Sequence, residues 1–227
     1  MADYWEKERH EIEGRLIKMI NTYIDANKLF DAGDYKKAAE LFKSICEPQT
    51  ASDQYNWGVM YYHGKGVPQS YIDAAYWFNI AEKNGEKNAA YALALQFLNG
   101  QGVEKNTKIA LELLQKASDK GCNGARLVLA GILLYGTYGD NEEKIIEEHP
   151  KEGFELFFQV ASFSEPENRR VAEYEVGCCY YYGKGTEKDL LEAKKWFEKS
   201  FDDDYDDAKK ALLKVEEELN NQNTSET

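Results

Sequence analysis

Between residues 55 and 89 the apolar positions fall into two blocks. Trp57, Gly58, Tyr61 and Tyr62 recur at three- and four-residue steps, the period of a helix with one buried face. Ala74, Trp77, Phe78 and Ala81 restart that period over about Tyr71 to Lys83. Gly64, Gly66 and Pro68 lie between the blocks. A glycine just past a helix end can take the left-handed conformation that lets the last carbonyls find donors, and proline cannot continue the helix. The pattern predicts an antiparallel helix pair.

That pair recurs. Laying 55–89 over 91–125 places Gly64 on Gly100, Gly66 on Gly102, Ala74 on Ala110, Ala81 on Ala117, Gly85 on Gly121 and Ala89 on Ala125, each 36 residues on. A third copy opens at Gly136, is interrupted by an acidic insertion, and resumes at Gly153, Phe154, Leu156 and Phe157. A fourth is clean: Gly183, Lys184, Gly185, Ala193, Trp196, Phe197 and Ala208 stand 119 residues after their counterparts, against 108 for three unbroken periods. The 11 additional residues are loop in the third copy. A repeat of this length marks a stacked architecture, in which each helix pair buries its apolar face against its neighbours. Gly58, Ala94, Ala130 and Gly177 form a small-residue column in the first helices, which predicts close helix approach under a bulky aromatic.

The run Tyr61-Tyr62-His63-Gly64-Lys65-Gly66-Val67-Pro68, followed by Ala74, Trp77, Phe78 and Ala81 and echoed by Tyr180-Tyr181-Tyr182-Gly183-Lys184-Gly185, resembles the Sel1-like repeat. The resemblance implies an all-α fold, a right-handed α-solenoid of stacked antiparallel helix pairs. Four repeats are expected at 54–89, 90–125, 126–171 (with the insertion at 141–150) and 172–208. Residues 1–53 are expected to form an N-terminal cap. In it Ile12, Leu16, Met19, Ile20, Tyr23 and Ile24 make one amphipathic helix. Ala26 to Phe42, with Gly33-Asp34-Tyr35 and Ala38, resembles half of a tetratricopeptide repeat. Ala211, Leu212, Val215 and Leu219 give a capping helix over 209–219, with one solvated face. Residues 220–227 carry no apolar side chain and are expected to be disordered.

Composition narrows the chemistry. No stretch approaches 18 consecutive apolar residues, and no basic start precedes an apolar run, so neither a membrane span nor a signal peptide is expected. Cys46, Cys122, Cys178 and Cys179 show no spacing repeated from unit to unit, whereas some secreted members of the family carry a regular pair in each repeat. A reducing, cytoplasmic location is the expectation. Adjacent Cys178 and Cys179 could form a vicinal disulfide or hold a thiophilic metal, but reduced packing residues explain them as well. His10, His63 and His149 stand in separate contexts without ligand spacing, so no metal site and no cofactor is expected. No serine precedes a lysine by three positions, the pair that β-lactam chemistry, proposed for some family members, commonly uses. The Gly-Lys-Gly pieces lack the strand and the further residues of a phosphate loop and serve as turn punctuation. The frequency of tyrosine, asparagine and lysine agrees with a bacterial, AT-rich coding sequence.

Charge and tyrosine bear on partners. Twenty-eight basic against 41 acidic residues give a net charge of −13. Glu142 and Glu143 in the insertion, and Asp202, Asp203 and Asp204 in the last inter-repeat loop, concentrate it as candidate docking acids. Nucleic acid and anionic membrane are repelled, and a basic protein surface is attracted; solvated loops for solubility account for the same charges. Most of the 16 tyrosines fall at core positions. Two columns of the first helices face away from the packing seam: Asn56, Ala92, Val128 and Glu175, and His63, Asn99, Tyr135 and Tyr182. Asn56, His63, Asn99, Tyr135, Glu175 and Tyr182 are the candidate partner-binding residues, since tyrosine, asparagine and histidine combine contact area with adaptable hydrogen bonding.

The family resemblance implies a non-enzymatic adaptor or scaffold that holds a partner protein on its concave face. An immunity protein neutralising a basic toxin is an alternative. An enzyme with a site assembled around His63, Asn99 and Tyr135 is a second. Sequence leaves the oligomeric state open.

Overall fold

The computed structural model describes residues 21–22, 24–44, 50–138, 144–163, 166–201 and 206–225. Ile12, Leu16, Met19, Ile20, Tyr23, Cys46, Glu142, Glu143, Asp202, Asp203 and Asp204 lie outside them. The described chain is helical apart from one short ribbon. The helices are α1 over 24–31, α2 (Tyr35–Ser44), α3 (Ala51–His63), α4 (Tyr71–Lys83), α5 (Lys87–Asn99), α6 (Thr107–Asp119), α7 (Asn123–Tyr135), α8 (Pro150–Phe163), α9 (Pro166–Tyr182), α10 (Leu190–Ser200) and α11 (Asp206–Ser225). Odd-numbered helices are the first members of the pairs. The chain forms two compact units, Met1–Ala110 and Leu111–Thr227.

Three first-to-second helix turns share one construction. Gly64, Gly100 and Gly183 end α3, α5 and α9 in the left-handed conformation, with φ of 67°, 68° and 68°. The next amide reaches back to the last turn: Lys65 N–H to Met60 O (2.9 Å), Gln101 N–H to Gln96 O (3.0 Å) and Lys184 N–H to Cys179 O (3.0 Å). Second helices start at Ser70, Asn106 and Asp189, whose side-chain oxygens accept from Asp73 N–H (3.2 Å), Ile109 N–H (3.1 Å) and Glu192 N–H (3.0 Å). These residue types satisfy helix-start amides that have no intrahelical acceptor.

The second glycine of each turn sets how closely successive pairs approach. A Cβ on Gly66 would lie 2.4 Å from Tyr35 O, on Gly102 2.2 Å from Tyr71 O, and on Gly185 2.2 Å from Pro150 O. Tyr35, Tyr71 and Pro150 are the first residues of α2, α4 and α8. Each turn therefore rests on the opening backbone of the preceding second helix, and any side chain there would hold the two apart.

Within a pair, Gly58 and Gly177 of the small-residue column lie against an aromatic ring, as the column predicts. Cβ atoms on Gly58 and Gly177 would sit 2.4 and 2.6 Å from the Phe78 and Phe197 rings. The aromatic covering the first helix thus comes from the second helix of the same pair. In the third pair the gap moves to the second helix: Gly153 of α8 lies against Ala130 O and Leu134 N of α7. The first unit packs Ala26, Ala38, Ala39, Trp57, Met60 and Val67. The second packs Leu134, Phe157, Val160, Val176, Cys179 and Trp196, and a smaller cluster of Leu190, Ala193, Phe197 and Val215 seats α11.

Three expected boundaries are corrected. The pairs start earlier than 54, 90, 126 and 172; α3 begins at Ala51 because Thr50 caps it, with Asp53 reaching back to the Thr50 amide. The 141–150 stretch is not simply a loop, since Lys144–Ile146 (β2) pairs antiparallel with Thr137–Tyr138 (β1) and Pro150 already opens α8. Residues 220–225, expected as a disordered tail, continue α11 to Ser225.

Gly33 and Gly66 separate conformation from packing, since φ is 80° and 75° but nothing lies within 4 Å of a Cβ on Gly33. Gly33→Ala is expected to cost about 1–2 kcal/mol for the left-handed backbone, and Gly66→Ala about 3 kcal/mol or more once displacement of α2 is added. Thermal melts check this; equal midpoints for the two variants contradict the turn-on-helix contact.

Candidate binding seam

Consecutive first helices meet through two columns. One residue near the end of a first helix faces one 29 residues on, near the start of the next; across the insertion the spacing is 40. The pairs within units are 27 with 56, 63 with 92, 135 with 175, and 182 with 211. Two are bridged. Asn56 Nδ2 donates to Asn27 Oδ1 at 3.1 Å, and Asn27 Nδ2 donates to Asp53 Oδ1 at 3.2 Å. Tyr135 Oη donates to Glu175 Oε2 at 3.2 Å. The other two seams have Ala92 and Ala211 in the second column, and neither alanine can bridge.

Both alanine seams open into clefts. One, of about 270 Å³, is walled by Tyr55, Val59, Tyr62 and His63 of α3 and Tyr91, Ala92 and Leu95 of α5, with Phe78 beneath. The other, of about 170 Å³, is walled by Tyr174, Cys178, Tyr181 and Tyr182 of α9 and Asp207, Lys210, Ala211 and Lys214 of α11, with Phe197 beneath. Adding 119 to each residue of the first cleft gives a residue of the second. It is one structural position used twice, with Tyr91 and Leu95 replaced by Lys210 and Lys214.

The bridged seam of the second unit holds a desolvated cluster. Burial raises the Glu175 carboxyl above its ordinary range, opposed by the Tyr135 hydrogen bond. Burial, then the Glu175 charge, pushes the Tyr135 phenol far above its usual value. The same two causes push Cys178 and Cys179 up to about 12. Both thiols are free and stay protonated near neutrality, which suits packing rather than nucleophilic or metal chemistry. Lys184 lies 4.8 Å from the centre of the Tyr135 ring and 3.3 Å from Glu148. Lys65, its counterpart 119 residues earlier, lies 4.3 Å from the Tyr35 ring centre. The lysine of each Gly-Lys-Gly turn thus braces a tyrosine.

The candidate residues divide accordingly. Asn56 spends one amide N–H on Asn27 across the seam. His63 is exposed at the mouth of the first cleft, edge-on to Tyr62 with ring centres 4.9 Å apart. Tyr182, 70% exposed, flanks the second. Tyr135, 47% exposed, and Glu175 meet each other. Asn99 is exposed at the end of α5, in neither cleft. The column reading missed Tyr55, Tyr91, Tyr174, Lys210 and Lys214; carrying the 119-residue offset beyond Ala208 would have reached the lysines. Among the described residues no group of three His, Cys, Asp or Glu could hold a metal ion, and no helix is long and apolar enough to cross a membrane.

Helix pairs of one period, joined by glycine turns that rest on the preceding pair, define an α-solenoid repeat protein. The Sel1 repeat model matches residues 51–86, 87–122 and 170–205, and the chain belongs to the Sel1-like repeat family. The unmatched stretch between the last two matches contains the pair bearing the ribbon. Among solved structures the chain is similar to a Sel1 repeat protein from Oxalobacter formigenes, at 22% identity, 84% of this chain, 74% of that one and a TM-score of 0.70. It is also similar to c5321, a protective antigen of uropathogenic Escherichia coli with an SLR fold, at 19% identity, 86% of this chain, 40% of that one and a TM-score of 0.72. A curated relative, "DAP3-binding cell death enhancer 1" of Rattus norvegicus, is 28% identical over 170 residues; the match takes in 74% of this chain and 31% of that protein. The chain therefore spans less than a third of that relative's length. Sel1 repeats are generally protein–protein interaction modules on a typically non-catalytic scaffold.

The bridge between α1 and α3 has a measurable signature. Burial pushes the Asp53 carboxyl up to about 6, against hydrogen bonding from the Thr50 and Asp53 amides; its ordinary value is 3.8. The folded chain therefore holds this proton more tightly than the unfolded chain does. The stabilisation is complete below pH of about 4 and is lost as pH rises through about 6. Urea unfolding between these pH values is expected to show this decline in the wild type and to lose it in Asp53→Asn; identical pH profiles contradict the assignment.

Proposed function

We propose that the chain is a non-enzymatic adaptor that holds a partner protein along its first-helix face, with one large apolar side chain of the partner seated in the cleft between α3 and α5. The observation that carries this reading is the open seam at Ala92. Tyr55, Tyr62, Tyr91 and Phe78 line the cleft there, and His63 stands at its mouth. Burying a Leu- or Phe-sized side chain contributes about 1.5–3 kcal/mol, and tyrosine-walled pockets are common anchor positions in protein interfaces. The net charge of −13 favours approach by a basic partner surface. The protein-binding role carried in the rat relative's name supports the same class.

Ala92→Gln fills the cleft from a half-buried helix position that already faces open space. Capture from lysate of the native organism, with wild type and Ala92→Gln as baits of equal melting midpoint, tests the reading. One protein retained by wild type and bound about 10- to 100-fold more weakly by the variant is the expected result. Equal retention by both baits removes the α3–α5 cleft from the binding surface.

A further inference from the structure

We infer that the cleft between α9 and α11 accepts an acidic peptide segment, in which a carboxylate meets Lys210 and Lys214 while a neighbouring apolar side chain rests on Phe197. The inference rests on reading the first-helix seams as the binding face, and it gives the second cleft a ligand chemistry that the first does not have. The two clefts are equivalent position by position, so their difference lies in the wall residues. Where the first presents Tyr91 and Leu95, the second presents two lysines one helical turn apart, on the same face of α11.

The local charges leave that wall available. Lys214 has no hydrogen bond or ion pair with any described residue. Lys210 meets Asp207 at 3.6 Å, an i,i+3 pair with side chains 70% and 66% exposed; pairs of that kind contribute about 0–1 kcal/mol and are readily exchanged. Glu218, one turn beyond Lys214, is occupied: Tyr181 donates to it, and Lys188 lies 3.5 Å from its other oxygen. Tyr182 stands at the mouth with its ring exposed and its hydroxyl making no hydrogen bond to a described residue. The apolar floor is supplied by Phe197, beneath Cys178 and Ala211.

The net charge of −13 does not oppose this in contact. Exposed charges farther than the Debye length, about 8 Å at physiological ionic strength, are largely screened, while a carboxylate between two ammonium groups is within direct reach. A basic partner surface attracted at long range and an acidic segment docked locally are compatible properties of one protein.

The test is an amide chemical-shift titration of the full chain with the acetylated, amidated peptide Ala-Glu-Leu-Glu-Ala, and with its Gln-for-Glu counterpart. Saturable shifts at Cys178, Ala211 and Lys214 with the glutamate peptide are expected. Binding should weaken about tenfold or more for the glutamine peptide and for the double variant Lys210→Gln, Lys214→Gln, whose exposed positions leave the fold intact. Ala211→Glu, which places a carboxylate opposite Tyr182 as Glu175 stands opposite Tyr135, should weaken it equally; Ala92→Gln should not change it. The inference is overturned by absence of shifts at that cleft, by equal binding of the two peptides, or by undiminished binding to the double lysine variant. If Ala92→Gln abolishes partner capture while the glutamate peptide fails to bind, the adaptor reading stands and this one falls.

Discussion

The contact on which the structure depends is a backbone-to-backbone one, made where a glycine turn settles on the first carbonyl of the preceding second helix. Gly66 on Tyr35, Gly102 on Tyr71 and Gly185 on Pro150 leave no room for a Cβ. Because the contact involves main chain, it fixes spacing with little tolerance. Each of these turns adopts a positive φ, so residue type and close approach are demanded by the same position. Once that spacing is set, Phe78 and Phe197 can lie over Gly58 and Gly177, and successive first helices come close enough for their facing columns to meet.

Function then turns on a small difference between equivalent seams. Where the second column carries asparagine or glutamate, the seam is bridged by a hydrogen bond to the previous first helix. Where it carries alanine, the same geometry leaves a cleft floored by phenylalanine and walled by tyrosine. A repeat protein can therefore place binding pockets along its length without altering the scaffold, by choosing at which seams the facing column residues bridge and at which they do not. The wall residues set the chemistry of each pocket, as Tyr91 with Leu95 and Lys210 with Lys214 illustrate.

Much of this is legible in sequence, because the constraint that builds the stack is also the one that selects glycine and alanine. The 36-residue period, the helix pairs and the small-residue column follow from Gly64, Gly66, Gly58, Ala74 and their counterparts. The two seam columns are also visible, but not their pairing. Asn56 reads as a surface residue until Asn27, in the cap where the period is not marked by a Gly-Lys-Gly turn, is seen to bind it. Ala92 reads as uninformative for want of a functional group, although its lack of reach is what opens the cleft. Lys210 and Lys214 lie beyond the last glycine turn, so a period traced by glycines stops short of them. The end of α11 escapes an apolar count because residues 220–225 continue a helix already seated by Val215 and carry no apolar side chain.

The most direct test of the seam principle is its converse, the crystal structure of Glu175→Ala. That change makes the bridged seam between α7 and α9 an alanine seam while leaving its glycine turn untouched. A new cleft beside Tyr135, with α7 and α9 at their present separation, is expected. A seam that stays closed, with α7 and α9 drawn together or Tyr135 refilling the space, would show that the column residue does not decide where the clefts form.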